Sequence, residues 1–179
     1  MRKPSRTVRK ITDDEKEIFD LVDQDDQVIG QATRGECHRD KSLVHRCIGI
    51  LVFNDQGMLF LQKRSLSKDL QPGLWALSVG GHPKSGQTYK EGAKKEMKEE
   101  LGIEAPIEKI TKYCYQGETE TEMFVVYKTV HNGPFTLHPE EIEKGQFFSL
   151  EDLAGKVKSG EISLSPAAEY ALRFLNLLK

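Results

Sequence analysis

The chain has 179 residues, 37% of them hydrophobic, which is enough for one core of the usual domain size of ~100–150 residues. Its formal net charge of −2, from 26 basic and 28 acidic residues, excludes an overall bias toward a nucleic acid polymer or a membrane surface. No apolar run approaches the ~20 residues that cross a bilayer, and the basic start lacks the apolar stretch of a secretory signal, so we expect a soluble cytoplasmic protein. The first ten residues include five Lys or Arg, and we expect residues 1–15 to form a basic flexible tail before a single domain at residues 16–179.

Strand signals dominate the first third of this domain and return near its end. "IFDLVDQDDQVIGQAT" has two short apolar runs around the turn-forming residues 23–26, which predicts a hairpin. "HRCIGILVFNDQGMLFLQKR" has two longer runs around residues 54–57 and predicts a second hairpin. Further strands are expected at residues 112–116 and 123–130 and around residues 146–148.

Helix signals lie in the second half. Thr88, followed three residues later by Glu91, forms a capping box, and the helix "YKEGAKKEMKEEL" is expected to end at Gly102. Ser149 and Ser165, the latter directly before a proline, are the expected N-caps of two closing helices. The order of strands and helices predicts an α+β domain with a mixed β-sheet sandwiched between α-helices, an α/β/α arrangement.

The central helix has three carboxylates on one side. Glu96, Glu99 and Glu100 are three and four residues apart and therefore converge on one face. Like charges at this spacing cost roughly 0.2–0.5 kcal/mol per pair, which Lys95 and Lys98 offset only in part. A hard cation such as Mg²⁺ would make the patch favourable, while a solvated Lys/Glu-rich helix is the alternative.

Residues 81–103 resemble the Nudix box, a Gly, Glu, Arg-Glu, Glu-Glu and Gly pattern with fixed spacing. The matching positions are Gly81, Lys95, Glu96, Met97, Glu99, Glu100, Gly102 and Ile103. Gln87 stands where the first Glu belongs, which removes an outer carboxylate. Lys95 stands where the Arg belongs, and it keeps the positive charge but loses the planar fork that braces a glutamate. The resemblance implies the Nudix fold and hydrolase chemistry.

A second group of residues suits a transition metal. His38 and His45 flank the start of the second hairpin, and His82 follows a pair of glycines. Glu120 and Glu122 are two residues apart, which places them on one face if the segment is extended. Three imidazoles and two carboxylates form a plausible transition-metal set. From spacing alone, surface or core histidines and a solvated strand face are the alternatives.

From about residue 21 to residue 127 the chain resembles the type I isopentenyl diphosphate isomerases, a branch of the Nudix superfamily, most closely over "RSLSKDLQPGLWALSVGGHP". In that family three histidines and two glutamates hold one metal, and the resemblance implies this role for the five residues just named. It also implies that Arg34, Arg64 and Lys68 bind the substrate diphosphate. Glu100 matches the glutamate that holds a second metal, and Tyr115 falls near a tyrosine that assists protonation.

The chain departs from the isomerases at the residue that carries their chemistry. Their essential cysteine directly precedes Gly-His-Pro, where this chain has Gly80, so the cysteine-dependent isomerisation is expected to be lost. Ile162 or a neighbour replaces a tryptophan that stabilises the cationic intermediate. Glu96 stands where the isomerases place a basic residue. These departures favour a metal-dependent hydrolase that cleaves a diphosphate linked to another moiety, such as a nucleoside diphosphate derivative or another small organic diphosphate.

The expected catalytic residues are Glu96, Glu99 and Glu100, with Mg²⁺ or Mn²⁺ as the cofactor. A second divalent transition metal is expected at the histidines and at Glu120 and Glu122. The expected partner is a small-molecule diphosphate rather than a nucleic acid polymer or a membrane. The sequence leaves the oligomeric state open, with a homodimer as one alternative.

Two other functions stay open. One is an isomerase that uses a different catalytic acid, for which Cys47 and Cys114 are weak candidates against a core-packing role. The other is a catalytically silent domain that binds a nucleotide or diphosphate, which the departures at Gln87 and Lys95 keep open. With Cys37, the chain has three cysteines and no CxxC spacing, so we expect reduced thiols.

Overall fold

The computed structural model of the chain describes residues 13–179, so residues 1–12 of the expected tail lie outside the described part. The strands are β1 Ile18–Val22, β2 Val28–Thr33, β3 Val44–Phe53, β4 Leu59–Arg64, β5 Trp75–Ala76, β6 Val79–Gly81, β7 Glu108–Gln116, β8 Thr121–Val130 and β9 Ile142–Phe148. The helices are α1 Arg34–Cys37, α2 Tyr89–Leu101, α3 Leu150–Ser159 and α4 Pro166–Phe174.

Strand β3 lies at the centre of the sheet because it is apolar on both faces. It pairs in parallel with β8 and antiparallel with β1, β4 and β6, so the sheet is mixed, as predicted. The parallel pair stays in register from Val44 opposite Thr121 to Phe53 opposite Val130. Strand β7 extends the sheet beyond β8, and β5 and β9 both pair with β4.

Two hydrophobic cores lie on opposite faces of the sheet. Because successive strand residues point to opposite sides, Ile48 and Ile50 of β3 face α2, whereas Leu51 belongs to the core that contains α3 and α4. Leu153 of α3 and Leu172 of α4 are fully buried in that second core. The layers confirm the predicted α/β/α arrangement.

Helix α2 begins and ends where the sequence predicts. The Thr88 side chain accepts from the Glu91 backbone N–H, and the Glu91 carboxylate accepts from the Thr88 N–H at 2.9 Å. Gly102 ends the helix in the left-handed region at φ 68°, and a Cβ there would lie 2.9 Å from Thr136 Cβ. Gly102 therefore both ends the helix and lets the segment after β8 pass close to it. Within residues 13–179, no helix is long and apolar enough to cross a membrane.

The two hairpins are confirmed, and their turns are closed by side chains. Asp23 Oδ1 accepts from the Asp25 and Gln27 N–H groups, and Asn54 Oδ1 accepts from Gln56 and Met58. Other strands extend further than predicted, since β7 starts at residue 108 and β9 at residue 142. Strand β7 begins with the polar residues Glu108 and Lys109, and in β9 the buried Ile142 is followed by Glu143 and Lys144. Pairing with β8 and β4, rather than hydrophobic pattern, therefore sets these starts.

Candidate active site

A cavity of about 740 Å³ opens at one end of the sheet. The sequence-predicted site residues that line it are Arg34, His38, Arg64, Lys68, Gly80, Gly81, His82, Lys95, Glu96, Glu99, Glu100, Tyr115, Glu120 and Glu122. His45 lies behind this surface and is fully buried. Three parts can be distinguished within the cavity: a histidine–glutamate cluster, a wall of α2 glutamates and a group of basic residues.

The histidine–glutamate cluster consists of His38, His45, His82, Glu120 and Glu122. His38 caps the C-terminal end of α1, and His82 follows the last residue of β6. His45 of β3 lies directly opposite Glu122 in the parallel pair with β8. The register of the central strands therefore places an imidazole beside a carboxylate, and the flanking segments bring the other members to the same point.

The nitrogen and oxygen atoms of this cluster converge. The closest approaches are His38 Nε2 to Glu120 Oε2 at 2.9 Å and His82 Nε2 to Glu122 Oε1 at 3.2 Å. His45 Nε2 is 3.9 Å from an oxygen of each glutamate. Ligand atoms of the three histidines and Glu120 all lie within 4.8 Å of one another. This spacing is short enough for a single ion to contact several of them.

The electrostatics of the cluster also fit a metal. His45 Nε2 is buried and has no hydrogen-bond partner among residues 13–179, while Nδ1 is 3.5 Å from the Leu43 carbonyl. Burial lowers the pKa of His45 and of His82 to about 4, so both imidazoles are neutral at pH 7. Burial and the neighbouring Glu120 raise the pKa of Glu122 to about 7. Neutral imidazoles and crowded carboxylates are the donors that a divalent transition metal binds.

An aromatic side chain of β1 supports the imidazoles from behind. The ring of Phe19 stacks on His82 at a centroid distance of 4.4 Å and on His45 at 5.2 Å. Phe19 is almost fully buried, so it fixes both rings by packing. Sequence analysis missed this role because Phe19 looks like any other apolar strand residue.

The α2 wall consists of Glu96, Glu99 and Glu100, and a glycine of β6 makes room for it. A Cβ on Gly81 would lie only 2.8 Å from Glu96 Cδ, so the absence of a side chain lets Glu96 lie against β6. Lys95 Nζ is 2.9 Å from Glu96 Oε1 and 2.7 Å from Glu99 Oε2. Burial raises the pKa of Glu96, an effect that the Lys95 ammonium partly offsets. Lys95 thus keeps a positive charge between two glutamates.

Gly81→Ala is expected to lower the free energy of unfolding by roughly 0.5–1.5 kcal/mol, because the new methyl group would force the end of the flexible Glu96 side chain out of its place. The matched control is Gly80→Ala, whose Cβ would meet nothing closer than Ile48 O at 3.9 Å. We expect the control to stay within ~0.5 kcal/mol of wild type in urea denaturation. Equal losses in the two variants would contradict the steric role of Gly81.

Glu100 is the most buried member of the α2 wall. Gln62 Nε2 of β4 donates to its Oε2, and no Lys, Arg or His within residues 13–179 forms an ion pair with it. Burial and the nearby Glu96 raise the pKa of Glu100 to about 8. A carboxylate in such a place is stabilised by a bound cation. The carboxylate oxygens of the α2 glutamates do not converge as closely as the ligand atoms of the histidine–glutamate cluster. This wider spacing suits Mg²⁺, because Mg²⁺ keeps water and substrate oxygens among its ligands.

Gln87 takes no part in this wall. It does not line the cavity, and its Oε1 accepts from the Lys84 N–H at 2.9 Å in the turn before α2. In this chain the first departure from the Nudix box therefore closes a turn.

The basic residues are all engaged by oxygens of the protein. Arg34 forms two hydrogen bonds to the Asp69 carboxylate, at 2.7 and 3.1 Å. Arg64 donates through Nε and Nη2 to the Leu70 carbonyl. Lys68 donates to Asp13 and to Glu141, which lies 2.5 Å away. Because the family resemblance implies that Arg34, Arg64 and Lys68 bind the substrate diphosphate, we call these three residues the phosphate clamp.

Sequence analysis missed several residues of the cavity. Asp13, which it assigned to the tail, is buried against Lys68, and Glu141 and His138 line the cavity near Glu100. His138 Nδ1 is buried and has no hydrogen-bond partner in the described part of the chain, and the His138 backbone N–H donates to the Glu100 carbonyl at 3.0 Å. No local motif marks these positions, because only the folded chain brings residues 13, 68 and 141 together.

The remaining candidates divide clearly. Gly80 lines the cavity, and a Cβ there would meet only Ile48 O, at 3.9 Å. Tyr115 also lines the cavity, and burial and Glu122 raise its pKa to about 12.

Cys47 also lines the cavity, but burial raises the pKa of its thiol well above the usual value, whereas Cys114 is exposed and outside the cavity. Ile162 is buried in the core, and its neighbours at residues 165–168 line the cavity instead.

Comparison with known proteins gives a consistent picture. Residues 43–168 match the model of the NUDIX domain family. An isopentenyl-diphosphate Delta-isomerase of Serratia proteamaculans is 30% identical over 91% of this chain and 90% of that protein. An uncharacterized Nudix hydrolase of Pseudomonas aeruginosa is 34% identical over 75% of this chain and 80% of that protein. The crystal structure of DR0079 from Deinococcus radiodurans has a TM-score of 0.77 at 30% identity, over 88% of this chain and 98% of that one. The chain therefore belongs to the NUDIX domain family.

Proposed function

We propose that the protein is a metal-dependent hydrolase that cleaves a small-molecule diphosphate linked to another moiety. The observation that carries this proposal is the α2 wall, where Glu96, Glu99 and Glu100 face the same cavity as the phosphate clamp. Gly80 supports it from the other side, since the position that carries the acid of the isomerases has no side chain.

The α2 wall would hold Mg²⁺ or Mn²⁺ against the diphosphate oxygens. When bound, such a cation offsets negative charge on the phosphate oxygens and lowers the pKa of a bound water. Glu100 contributes a buried carboxylate without an ion-pair partner in residues 13–179, and Glu99 contributes an exposed one. Carboxylates in these two environments can divide the tasks of holding the cation and receiving a proton.

The reaction would be a hydrolytic phosphoryl transfer. A water oxygen attacks one phosphorus, the bond from that phosphorus to the leaving oxygen breaks, and the leaving oxygen keeps the electron pair. The proton released by the water passes to the carboxylates of the α2 wall. Arg64 and Lys68 orient the phosphates, and Lys68 lies close enough to Glu100 to influence its charge.

The histidine–glutamate cluster would hold a second divalent metal of the transition series. The buried, unpartnered His45 Nε2 and the raised pKa of Glu122 support this assignment. Its position beside Gly80 and Tyr115 in the cavity gives it a structural or substrate-orienting role.

Isomerisation of an isoprenoid diphosphate is the second candidate. It is favoured by the similarity to the Serratia isomerase over 91% of the chain and by Tyr115 in the cavity wall. The cysteines do not strengthen it, because Cys47 is buried with a raised pKa and Cys114 lies outside the cavity.

A phosphate-release screen, in which a phosphatase added afterwards frees inorganic phosphate from the phosphomonoester products and chromatography identifies these products, separates these functions. Purified protein is incubated with Mg²⁺ or Mn²⁺ and with nucleoside diphosphate sugars, dinucleotides or isopentenyl diphosphate. We expect metal-dependent cleavage of at least one compound, lost in Glu99→Gln or Glu100→Gln. Formation of an allylic isomer without cleavage would instead establish the isomerase, and tight binding with no turnover would establish a silent binding domain.

A further inference from the structure

Carboxylates among residues 13–179 balance most of the positive charge of the phosphate clamp. Three carboxylates, from Asp13, Asp69 and Glu141, lie against Arg34 and Lys68, and Arg64 is engaged by a backbone carbonyl. Three carboxylates therefore oppose the three cations of the clamp, which weakens its net attraction for an incoming diphosphate. A diphosphate that binds Arg34 and Lys68 directly competes with these carboxylates.

Asp13 differs from the other two carboxylates in how it is held. Asp69 belongs to the same loop as Lys68 and binds Arg34 with both oxygens, and Glu141 directly precedes β9. Asp13 lies in an irregular segment before β1, outside any helix or strand. It can therefore move away without breaking a sheet or a helix.

The partners of Asp13 are those that a phosphate oxygen binds. Its Oδ2 accepts from the Asp69 backbone N–H at 2.9 Å, its Oδ1 accepts from the Lys68 ammonium, and Arg34 Nη1 is 3.6 Å from Oδ1. An ammonium, a guanidinium and a backbone N–H that converge on one anion form a typical phosphate site. The carboxylate is about 8% exposed, so it fills this place rather than lying at its edge.

We propose that Asp13 is an internal competitor for the phosphate clamp: its carboxylate holds the place between Lys68 and Arg34 that a phosphate of the substrate takes, and the substrate displaces it. The inference rests on the proposed function, in which the clamp binds a diphosphate. Displacing the carboxylate costs the same free energy for every anion that takes this place, so Asp13 lowers the affinity of the clamp for phosphate and pyrophosphate alike.

Isothermal titration calorimetry with inorganic pyrophosphate and inorganic phosphate, in the absence of metal, tests the inference. We expect Asp13→Asn to bind pyrophosphate about tenfold more tightly than wild type, since the internal competitor has lost its charge. Phosphate should gain by a similar factor, because both anions displace the same carboxylate. The matched control is Asp14→Asn: Asp14 accepts from the Lys16 N–H and forms no ion pair among residues 13–179.

Equal or weaker pyrophosphate binding by a folded Asp13→Asn variant would overturn the inference. A second measurement uses wild-type protein, in case the variant does not fold. Hydrogen exchange of the peptide that covers residues 13–18 should become faster when pyrophosphate is added, and unchanged exchange at saturating pyrophosphate would also overturn it.

The two proposals can fail separately. Tighter pyrophosphate binding by Asp13→Asn, with no cleavage in the phosphate-release screen, would leave the displacement of Asp13 standing and reject hydrolysis. Cleavage by wild type, with unchanged affinity in Asp13→Asn, would support hydrolysis and reject the role of Asp13.

Discussion

Glu100→Gln is expected to lower the rate of metal-dependent diphosphate cleavage by about 10³-fold or more, the loss that follows when several kcal/mol of charge stabilisation disappear. Glu100 is buried at the cavity wall, and its only hydrogen-bonding side chain among residues 13–179 is the neutral Gln62. Gln has nearly the same shape as Glu but no charge, so the variant would remove the proposed cation ligand without opening a cavity.

The free energy of unfolding of Glu100→Gln should rise although its activity falls, so the loss of activity can be distinguished from unfolding. Burial and Glu96 raise the pKa of Glu100 to about 8, against 4.5 for an exposed glutamate. Between these pH values the folded chain keeps a proton that the unfolded chain has released, so the contribution of Glu100 to stability falls as the pH rises. Gln does not titrate and escapes this loss.

Urea denaturation in the presence of a chelator measures this effect. Wild type and Glu100→Gln should have similar free energies of unfolding near pH 5, and the variant should be more stable by roughly 1–3 kcal/mol near pH 8. Glu104→Gln, at an exposed site outside the cavity, should change neither activity nor this pH dependence. Full activity in Glu100→Gln would exclude Glu100 from the cation site, and a stability difference that shrinks with rising pH would contradict its burial as a neutral acid.

Local patterns in the sequence were sufficient for most of the fold. The capping box at Thr88 and the left-handed Gly102 fix both ends of α2, and the side chains of Asp23 and Asn54 close the two hairpin turns. Each of these signals involves residues within a few positions of one another. Where long-range pairing decides the structure, as at the polar start of β7, the pattern predicted too short a strand.

The candidate site shows the same division. The α2 wall could be predicted because one helix carries all three glutamates, and helical spacing alone brings them to one face. The pairing of His45 with Glu122 depends on the parallel register of β3 and β8, which no turn or spacing specifies, and it was expected only through a family resemblance. Asp13 had neither kind of signal, since its partner Lys68 is far away in the sequence.

His82→Ala is expected to abolish the binding of a transition metal to the purified protein. His82 Nε2 is 3.2 Å from Glu122 Oε1, and its ring lies 5.1 Å from that of His45, so its loss opens one side of the cluster. Losing a residue that only hydrogen-bonds to a metal ligand lowers metal affinity by up to ~100-fold, so losing a direct ligand should lower it by at least this factor. Metal analysis by mass spectrometry should find about one equivalent of a transition metal per chain in wild type and almost none in the variant.

The same metal should contribute to stability, because the cluster joins four separate elements of the fold, α1, β3, β6 and β8. If the free metal is held at ~100–1,000 times its Kd, binding stabilises the folded chain by about 3–4 kcal/mol, and a chelator should remove this contribution from wild type. His82→Ala should respond little to the chelator, whereas His131→Ala, a histidine outside the cavity, should keep both the metal and the response. A wild-type protein that binds no transition metal and is insensitive to chelation would reject the cluster as a metal site. The unpartnered His45 Nε2 and the two adjoining carboxylates would then have to be explained as a buried polar network held by the Phe19 ring alone.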